Sequence, residues 1–272
     1  MVLTIDIGNT RTKLVVFNGN DPVECVACPT LPNPQHGMKE EGELFASTAR
    51  MIRQYAPQMA IWCNTGQVPD GYLDTLHNLC THVVHFTASL PTALDLAYHT
   101  PETLGADRLA AALGAYSMTP ETDLLVIDVG TCITYDRVDR NHRFVGGNIS
   151  PGLRLRFQAL HDHTAALPLV RPDGSLPDVG YDTETAIRCG VVHGLQAEIR
   201  EVVRSFQTRY PSIQVWMTGG DTLRQDSGQH DSLPEGTKKS ADMEWASFPH
   251  RSDSFLVARG LNQVALQHLK DA

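Results

Sequence analysis

The middle of the chain reads Asp123-Leu-Leu-Val-Ile-Asp-Val-Gly-Thr-Cys-Ile-Thr-Tyr-Asp136. An apolar run, a glycine turn and a second apolar run predict two strands joined by a tight turn, with carboxylates at both ends. The N-terminus repeats this layout in Met1-Val-Leu-Thr-Ile-Asp-Ile-Gly-Asn-Thr-Arg-Thr-Lys13, which leads into a second apolar run. The corresponding positions are Asp6 with Asp128, Gly8 with Gly130, and Asn9 with Thr131. The sequence therefore predicts one structural unit that occurs twice.

Each copy of this unit has the chemistry of an anion site. The strand end places a carboxylate at the edge of the sheet, and the glycine lets backbone N–H groups approach a phosphate closely. Further donors are the hydroxyl groups of Thr10, Thr12 and Thr131 and the ammonium group of Lys13. Two such turns facing each other could hold the two ends of a nucleoside triphosphate. A plain β-hairpin explains either copy alone, but two copies with matched flanks favour the nucleotide site.

The composition is typical of a soluble globular protein. The chain has 272 residues, of which 42% are hydrophobic and 19% charged, and its net charge is −9. Its longest basic run is Lys238-Lys239, which is too short to neutralise a nucleic-acid backbone. No run approaches the roughly 18 apolar residues of a membrane span, and Asp6 and Arg11 interrupt the early apolar stretch where a secretory signal would lie. We therefore expect a cytoplasmic protein without nucleic-acid or membrane partners.

The cysteines do not indicate a metal or redox site. Cys25-Val-Ala-Cys28 has the spacing of a redox or half-zinc motif, but no second pair and no histidine partner accompany it. The remaining four cysteines are scattered through apolar patterns, where a reduced thiol behaves as a small hydrophobic group.

Strands alternating with helices predict an α/β layer in the first half of the chain. We expect a helix near 40–55, a strand at 59–63, a helix at 71–79 and a strand at 82–86. The motif Gly105-Ala-Asp-Arg108 then opens a helix that ends near residue 118. We place the domain boundary there, which gives an N-terminal domain of residues 1–118 and a C-terminal domain of residues 119–272.

In the second half, the three glycines and one proline of Gly146-Gly-Asn-Ile-Ser-Pro-Gly152 predict a backbone of unusual dihedral angles that suits close approach by a ligand or another chain, although a plain loop would look similar. Asp182-Thr183 caps a long helix. That helix contains Gly190 and Gly194 one turn apart, and we expect a neighbouring helix to pack closely there. We interpret residues 224–253 as a mobile loop and predict a final helix at 254–269.

Five motifs together resemble those of the type III pantothenate kinase family, in that family's order and over nearly the whole chain. They are the segments Asp6–Lys13, Gly105–Arg108, Asp128–Thr131, Gly146–Gly152 and Thr218–Gly220. The resemblance implies two ribonuclease-H-like α/β domains flanking a nucleotide cleft, as in sugar kinases, heat-shock chaperone ATPases and actin. It also implies phosphorylation of pantothenate by ATP, the first step of coenzyme A biosynthesis. Mg²⁺, a monovalent cation (K⁺ or NH₄⁺) and a homodimer are further implications.

The resemblance also implies roles for single residues. The ATP-binding positions are Asp6, Gly8, Asn9, Thr10, Thr12 and Lys13, with Thr131 in the second turn. Asp128 matches the aspartate that holds the monovalent cation, and Asp107 matches the general base. The positions around pantothenate are Tyr98, Gly105, Ala106, Asp107, Arg108 and Thr183. The match of Thr183 to the family's position depends mainly on its spacing from Gly180.

These roles agree with the physics of phosphoryl transfer, which needs fixed donors around the phosphates and little covalent chemistry from the protein. A carboxylate such as Asp107 could accept the proton of the attacking hydroxyl group, and Arg108 could hold a substrate carboxylate or the migrating phosphoryl group. Without the other motifs, the same pair would be interpreted as a helix N-terminal acid with an exposed neighbour.

Two other functions are compatible with the fold. A catalytically silent regulatory relative is disfavoured because the charged residues at positions 6, 13, 107, 108 and 128 are all present. A ribonuclease-H-like nuclease would use Asp6, Asp128 and Asp136 to hold two divalent ions, and the acidic pI of about 5.7 disfavours it.

Overall fold

A computed structural model describes residues 1–31, 42–220 and 248–271 of the chain. The strands are β1 (Val2–Ile7), β2 (Arg11–Asn18), β3 (Asp21–Pro29), β4 (Met59–Asn64), β5 (Val83–His85), β6 (Asp95–Leu96), β7 (Leu124–Val129), β8 (Cys132–Val138), β9 (Arg143–Pro151), β10 (Gln214–Thr218) and β11 (Arg251–Ser252). The helices are α1 (Glu43–Tyr55), α2 (Tyr72–Leu79), α3 (Ala106–Met118), α4 (Leu153–Asp162), α5 (Thr183–Arg209) and α6 (Leu256–Asp271), with a short 3₁₀ turn at Pro101–Thr103. None of the helices in these ranges is both long and apolar enough to cross a bilayer.

The first of two compact units contains a five-stranded mixed sheet. It comprises Met1–Glu121, Val138–Gly146 and Phe255–Ala272. The strand order is β3-β2-β1-β4-β5, in which β1 is antiparallel to β2 and parallel to β4. The strands read as continuous apolar runs because both faces are covered: Leu3 and Ile5 lie in the core with residues of α1 and α2, whereas Val15 packs against Ala258 of α6. In the same unit, β6 pairs in parallel with the start of β9.

The second unit repeats this topology. It comprises Thr122–Arg137 and Gly147–Ser254, and its strands have the order β9-β8-β7-β10-β11. Strand β10 is parallel to β7, as β4 is to β1 in the first unit. The order three-two-one-four-five therefore occurs twice, which is the ribonuclease-H-like arrangement and confirms the predicted duplication. Helix α5 contributes Ile187, Val191 and Leu195 to the core that covers this second sheet.

Two predictions about strands were wrong. The sequence pattern predicts no strand between the first hairpin and α1, but β3 spans Asp21–Pro29. It is an edge strand with one exposed face, so it lacks a long apolar run and tolerates Pro22. The segment Gly146–Gly152 is not a loop, because β9 continues to Pro151. The close approach that its glycines permit is made by the chain itself, since a Cβ at Gly147 would overlap the Tyr135 carbonyl oxygen.

The predicted helices are confirmed with small shifts of their ends. Asp182 caps α5 as predicted: its Oδ1 accepts the backbone N–H of Thr185 at 2.8 Å, and the Thr185 hydroxyl accepts the N–H of Asp182 at 3.1 Å. Most of the segment interpreted as a mobile loop, residues 224–247, lies outside the described residues. Its described end contains β11, which pairs with β10.

Helix α3 is fixed by close packing against α6. A Cβ at Gly114 would overlap the carbonyl oxygen of Leu256, and one at Gly260 would overlap that of Ala110. The two helix backbones therefore touch, which only glycine permits. The expectation for Gly190 and Gly194 was wrong for the described chain, because a Cβ at either position would meet nothing within 4 Å.

These glycines give a paired stability prediction. Gly114→Ala is expected to destabilise the protein by about 1–3 kcal/mol, because the added methyl group forces α3 away from α6. Gly190→Ala is expected to stabilise it by up to about 1 kcal/mol, because alanine is the better helix former and the space is open. Urea unfolding of both variants measures the difference, and equal effects of the two substitutions would contradict the packing described here.

Candidate active site

The first acidic turn, Asp6–Lys13, is held by backbone groups on one side. The N–H of Gly8 donates to the carbonyl of Arg11 at 3.1 Å and closes the turn. The N–H groups of Thr65 and Gly66, just beyond β4, donate to the carbonyl of Ile7 at 3.0 and 3.2 Å. Gly66 approaches so closely that a Cβ there would lie 2.5 Å from the Gly8 carbonyl oxygen. The end of β4 therefore supports the turn directly.

The predicted ATP-binding residues of this turn lie in different surroundings. Asn9 and Thr10 are exposed, and Lys13 is partly buried opposite Asp6 in the antiparallel register of β1 and β2. Thr12 is fully buried, and its hydroxyl group shares a 3.1 Å hydrogen bond with that of Thr30. The turn therefore has an exposed tip, Asn9 and Thr10, and a buried pair of hydroxyl groups, those of Thr12 and Thr30.

Asp107 lies in the first turn of α3, as the sequence predicts. Its Oδ1 accepts the backbone N–H of Arg108 at 2.8 Å. Gly105 immediately precedes the helix, and a Cβ there would lie 2.7 Å from this same oxygen. Burial raises the pKa of the Asp107 carboxyl above its usual value, although the N–H and the positive charge of Arg108 act in the opposite direction. A carboxylate of raised pKa is a stronger proton acceptor.

Cys63 lies beside the acidic turn. It is fully buried at the end of β4, paired with Asp6 in the parallel register, and its Sγ lies 3.8 Å from Asp6 Oδ1. Burial raises the pKa of the Cys63 thiol well above its usual value, and the negative charges of Asp6 and Asp107 raise it further. Both carboxylates therefore lie within electrostatic reach of one buried thiol.

A second group of predicted residues lies around Arg108. Its side chain is buried, and the guanidinium carbon lies 5.7 Å from the centroid of the Tyr98 ring, within cation–π range. The Tyr98 ring packs edge to face on Phe144, with centroids 6.1 Å apart. Gly146, at a φ of +118°, leaves room for this ring, because a Cβ there would lie 3.3 Å from it. Arg108 is therefore not the exposed neighbour of a helix-start acid.

In the second unit, the acidic turn around Asp128 repeats the first. The N–H of Gly130 donates to the carbonyl of Cys132 at 3.0 Å, and Asp128 is paired in register with Thr218, as Asp6 is with Cys63. Thr131 is exposed, and its carbonyl accepts the N–H of Gly152 at 3.0 Å. This turn too is supported by the ends of the neighbouring strands.

Thr183 is the first residue of α5 and is exposed. The Asp182 cap fixes the backbone beside it, and hydrogen bonds from Thr185 to the Asp182 carboxylate lower the pKa of that group. Two exposed apolar residues precede it, Val179 at 80% and Tyr181 at 72% relative exposure.

Asp6 and Asp128 are each partly buried at the end of a central strand, in separate units. Across the described ranges, no group of three or more His, Cys, Asp or Glu side chains is arranged to hold a metal ion. Any cation here would therefore draw its other ligands from backbone oxygens, water or a bound phosphate.

Sequence reasoning missed Cys63, Thr30 and Gly66. One signal could have found Cys63 and Gly66, because parallel strands end at the same edge of a sheet and β4 is parallel to β1. The end of β4 had to lie beside Asp6 for that reason. Thr30 carried no such signal, since the strand that positions it was not predicted.

Comparison with known proteins identifies close relatives. The family model described as type III pantothenate kinase matches residues 2–205. The type III pantothenate kinase of Bacteroides fragilis is 37% identical over 264 residues, which covers 97% of both chains. That of Porphyromonas gingivalis is 39% identical over 223 residues, or 80% of this chain and 86% of its own.

Solved structures support the fold. A protein from Campylobacter jejuni, described as a candidate Baf family transcriptional activator, aligns with a TM-score of 0.55 at 19% identity, covering 98% of this chain and 99% of its own. Component A of the (R)-2-hydroxyglutaryl-CoA dehydratase of Acidaminococcus fermentans aligns with a TM-score of 0.50 at 12% identity, covering 99% and 98%. At such identities the likeness concerns the fold alone.

The raised pKa of Asp107 predicts a pH-dependent stability difference. A carboxyl whose pKa is raised by folding destabilises the folded state once pH rises through that pKa, because its charged form is buried. Asp107→Asn is therefore expected to gain stability relative to the parent as pH rises from about 4 to about 8. Urea unfolding across this range measures the trend.

Asp139→Asn is the matched control. Burial raises the pKa of Asp139, but its hydrogen bonds to Arg143 and Asn141 outweigh that effect and lower it. The parent's advantage from a lowered pKa is complete above the ordinary aspartate value, so this variant is expected to lose stability relative to the parent as pH rises from about 2 to about 4 and then to stay level up to about 8. The same trend in both variants would contradict the assigned shifts.

Proposed function

This chain belongs to the type III pantothenate kinase family, and from that membership we propose that it transfers the γ-phosphoryl group of ATP to the hydroxyl group of pantothenate. This reaction is the first step of coenzyme A biosynthesis. The observation that carries the proposal is that one unit holds both the backbone-supported turn at Asp6 and the buried carboxylate of Asp107, since in-line transfer needs a phosphate site and a proton acceptor together.

Asp107 acts as the general base. It accepts the proton of the pantothenate hydroxyl group as the oxygen attacks the γ-phosphorus atom and the bond to the β-phosphate breaks. Its raised pKa suits this role, because a base works best when its pKa approaches the working pH. The surrounding burial also strengthens every charge interaction at the reacting atoms.

The acidic turns bind ATP. In the first turn we assign Asp6, Gly8, Asn9, Thr10, Thr12 and Lys13, and in the second turn Thr131. The backbone N–H of exposed Asn9 and the Lys13 ammonium group would offset phosphate charge, which is the main contribution a protein makes to this reaction.

Pantothenate carries a carboxylate, and Arg108 is its proposed partner. A buried guanidinium group held against Tyr98 is preorganised for a carboxylate, because its side chain has little freedom left to lose. Tyr98, Gly105, Ala106 and Thr183 complete the proposed substrate contacts.

Mg²⁺ and a monovalent cation, K⁺ or NH₄⁺, are the proposed cofactors beside ATP. Mg²⁺ is usually held by one or two carboxylates together with substrate phosphates, which fits Asp6 in a turn without a dedicated ligand cluster. Asp128 is the proposed ligand of the monovalent cation. Bound Mg²⁺ would neutralise charge on the transferring phosphates.

We propose further that the enzyme is a cytoplasmic homodimer. Val179 and Tyr181 are apolar and exposed next to Thr183, and a second subunit would cover them. Six free cysteines fit a reducing compartment. The net charge of −9 agrees with the absence of a nucleic-acid or membrane partner.

A catalytically silent regulatory relative is the alternative function. It would bind a partner through the same fold without turnover, so measured phosphopantothenate formation excludes it. The nuclease alternative would require cleavage of nucleic acid in Mg²⁺.

Asp107→Asn is expected to lower kcat by about 10²–10⁴-fold, because it removes the proton acceptor while keeping the shape of the side chain. A coupled assay of ADP release with pantothenate measures this. Asp74→Asn is the matched control, since Asp74 also lies in the first turn of a helix in the same unit but is exposed and outside the proposed site. Equal activity of the two variants would contradict the assigned base.

The monovalent cation gives a separate prediction. Replacing K⁺ with Na⁺ is expected to reduce the activity of the parent enzyme, and Asp128→Asn is expected to reduce it by about 10-fold or more in K⁺ and to remove the difference between the ions. Rates at matched ionic strength measure both effects. A variant that still discriminates K⁺ from Na⁺ would show that Asp128 is not the ligand.

A further inference from the structure

Thr30 also contacts the first acidic turn. It directly follows β3 and is 3% exposed. Its hydroxyl group donates to the carbonyl of Gly8 at 2.7 Å, and its backbone N–H donates to the carbonyl of Thr10 at 3.1 Å. Two of the carbonyl groups in the turn are therefore fixed by one residue that no sequence motif indicated.

The donors in this cluster can be assigned by counting protons. A carbonyl oxygen only accepts, so the single hydroxyl proton of Thr30 goes to Gly8. In the 3.1 Å bond between the hydroxyl groups of Thr12 and Thr30, Thr12 must then be the donor. The bonds run in one direction, from Thr12 through Thr30 to Gly8. The hydroxyl proton of Thr12 is therefore already donated to Thr30. Because a phosphate oxygen can only accept a hydrogen bond, Thr12 has no proton left to donate to it.

The orientation of the Gly8 carbonyl fixes the next N–H group. In a trans peptide, the C=O of one residue and the N–H of the following residue point in opposite directions, and the described chain contains no cis peptide bond. With the Gly8 carbonyl held on buried Thr30, the N–H of Asn9 points to the other side, where Asn9 and Thr10 are exposed. A backbone N–H at that position is a donor for an anion.

We propose that Thr30 is a positioning residue for nucleotide binding, which sets the orientation of the Asn9 N–H by holding the carbonyl of Gly8. The proposal rests on the proposed binding of ATP by the first acidic turn. Thr12 contributes to ATP binding through the same pair of hydrogen bonds, without touching the nucleotide. Gly66 packs against the same peptide, which limits how far the turn can shift when the hydroxyl group is removed.

The test measures binding of a non-hydrolysable ATP analogue with Mg²⁺ by isothermal titration calorimetry. Thr30→Val keeps the branched shape but removes the hydroxyl group, and it is expected to weaken binding by about 10-fold. Thr30→Ser restores the hydroxyl group and is expected to bind within about threefold of the parent. The KM for pantothenate is expected to stay within about twofold in both variants, because Thr30 acts only on the nucleotide side.

Thr4→Val is the matched control. Thr4 is a buried threonine of the same hairpin, and its hydroxyl group donates to the carbonyl of Val15 at 3.2 Å, away from the turn. Both valine variants are expected to lower the Tm, but only Thr30→Val is expected to weaken nucleotide binding. Equal nucleotide binding by Thr30→Val and Thr4→Val would overturn the proposal.

A double substitution tests the direction of the hydrogen bonds. Because Thr12 acts through Thr30, Thr12→Val with Thr30→Val is expected to bind no more weakly than Thr30→Val alone. If Thr30→Val does not fold, Thr12→Val alone must bind about threefold or more weakly than Thr12→Ser, and equal binding would overturn the proposal. A parent protein that binds no nucleotide would refute the proposed function itself, whereas tight binding by both the parent and Thr30→Val would refute only the role of Thr30.

Discussion

The structure depends on contact between backbone and backbone at the two acidic turns. A carboxylate at a strand end becomes part of a site only if the turn beside it is fixed, and a turn of exposed polar residues cannot fix itself by burying apolar surface. In the first unit, Gly66 approaches the Gly8 peptide. In the second unit, Gly152 approaches the peptides of Gly130 and Thr131, while Gly219 approaches Val129. Each glycine is required because a side chain would separate the strand ends.

The same constraint positions Asp107, the proposed proton acceptor. Asp107 lies at the start of α3, whose backbone touches that of α6 through Gly114 and Gly260. Helix α3 is therefore fixed against α6, and burial of the Asp107 carboxylate destabilises the folded state, as its raised pKa indicates. A fully solvated aspartate would destabilise the fold less, but it would be a weaker base. The first unit thus gives up some stability to place a carboxylate where its proton affinity is useful.

The sequence predicts the parts of this architecture that depend on local patterns. The paired turns, the start of α3 and the Asp182 cap follow from glycine, carboxylate and capping residues at fixed spacing. The sequence does not predict β3, because an edge strand with one solvent-exposed face has no continuous apolar run. It misjudged Gly146–Gly152 and the pair Gly190 and Gly194, because which neighbour touches a glycine is a tertiary property. Cys63 and Thr30 were missed for the same reason: each acts on a turn distant in sequence.

The proposed catalysis depends on a buried carboxylate that acts as a base beside a phosphate-binding turn. The pH dependence of kcat/KM for pantothenate tests this most directly. It should fall as pH decreases through a pKa above the ordinary aspartate value of 3.8, because the base of the free enzyme must be ionised to accept a proton. A profile that stays flat down to that value, or one whose acidic limb persists unchanged in Asp107→Asn, would contradict it.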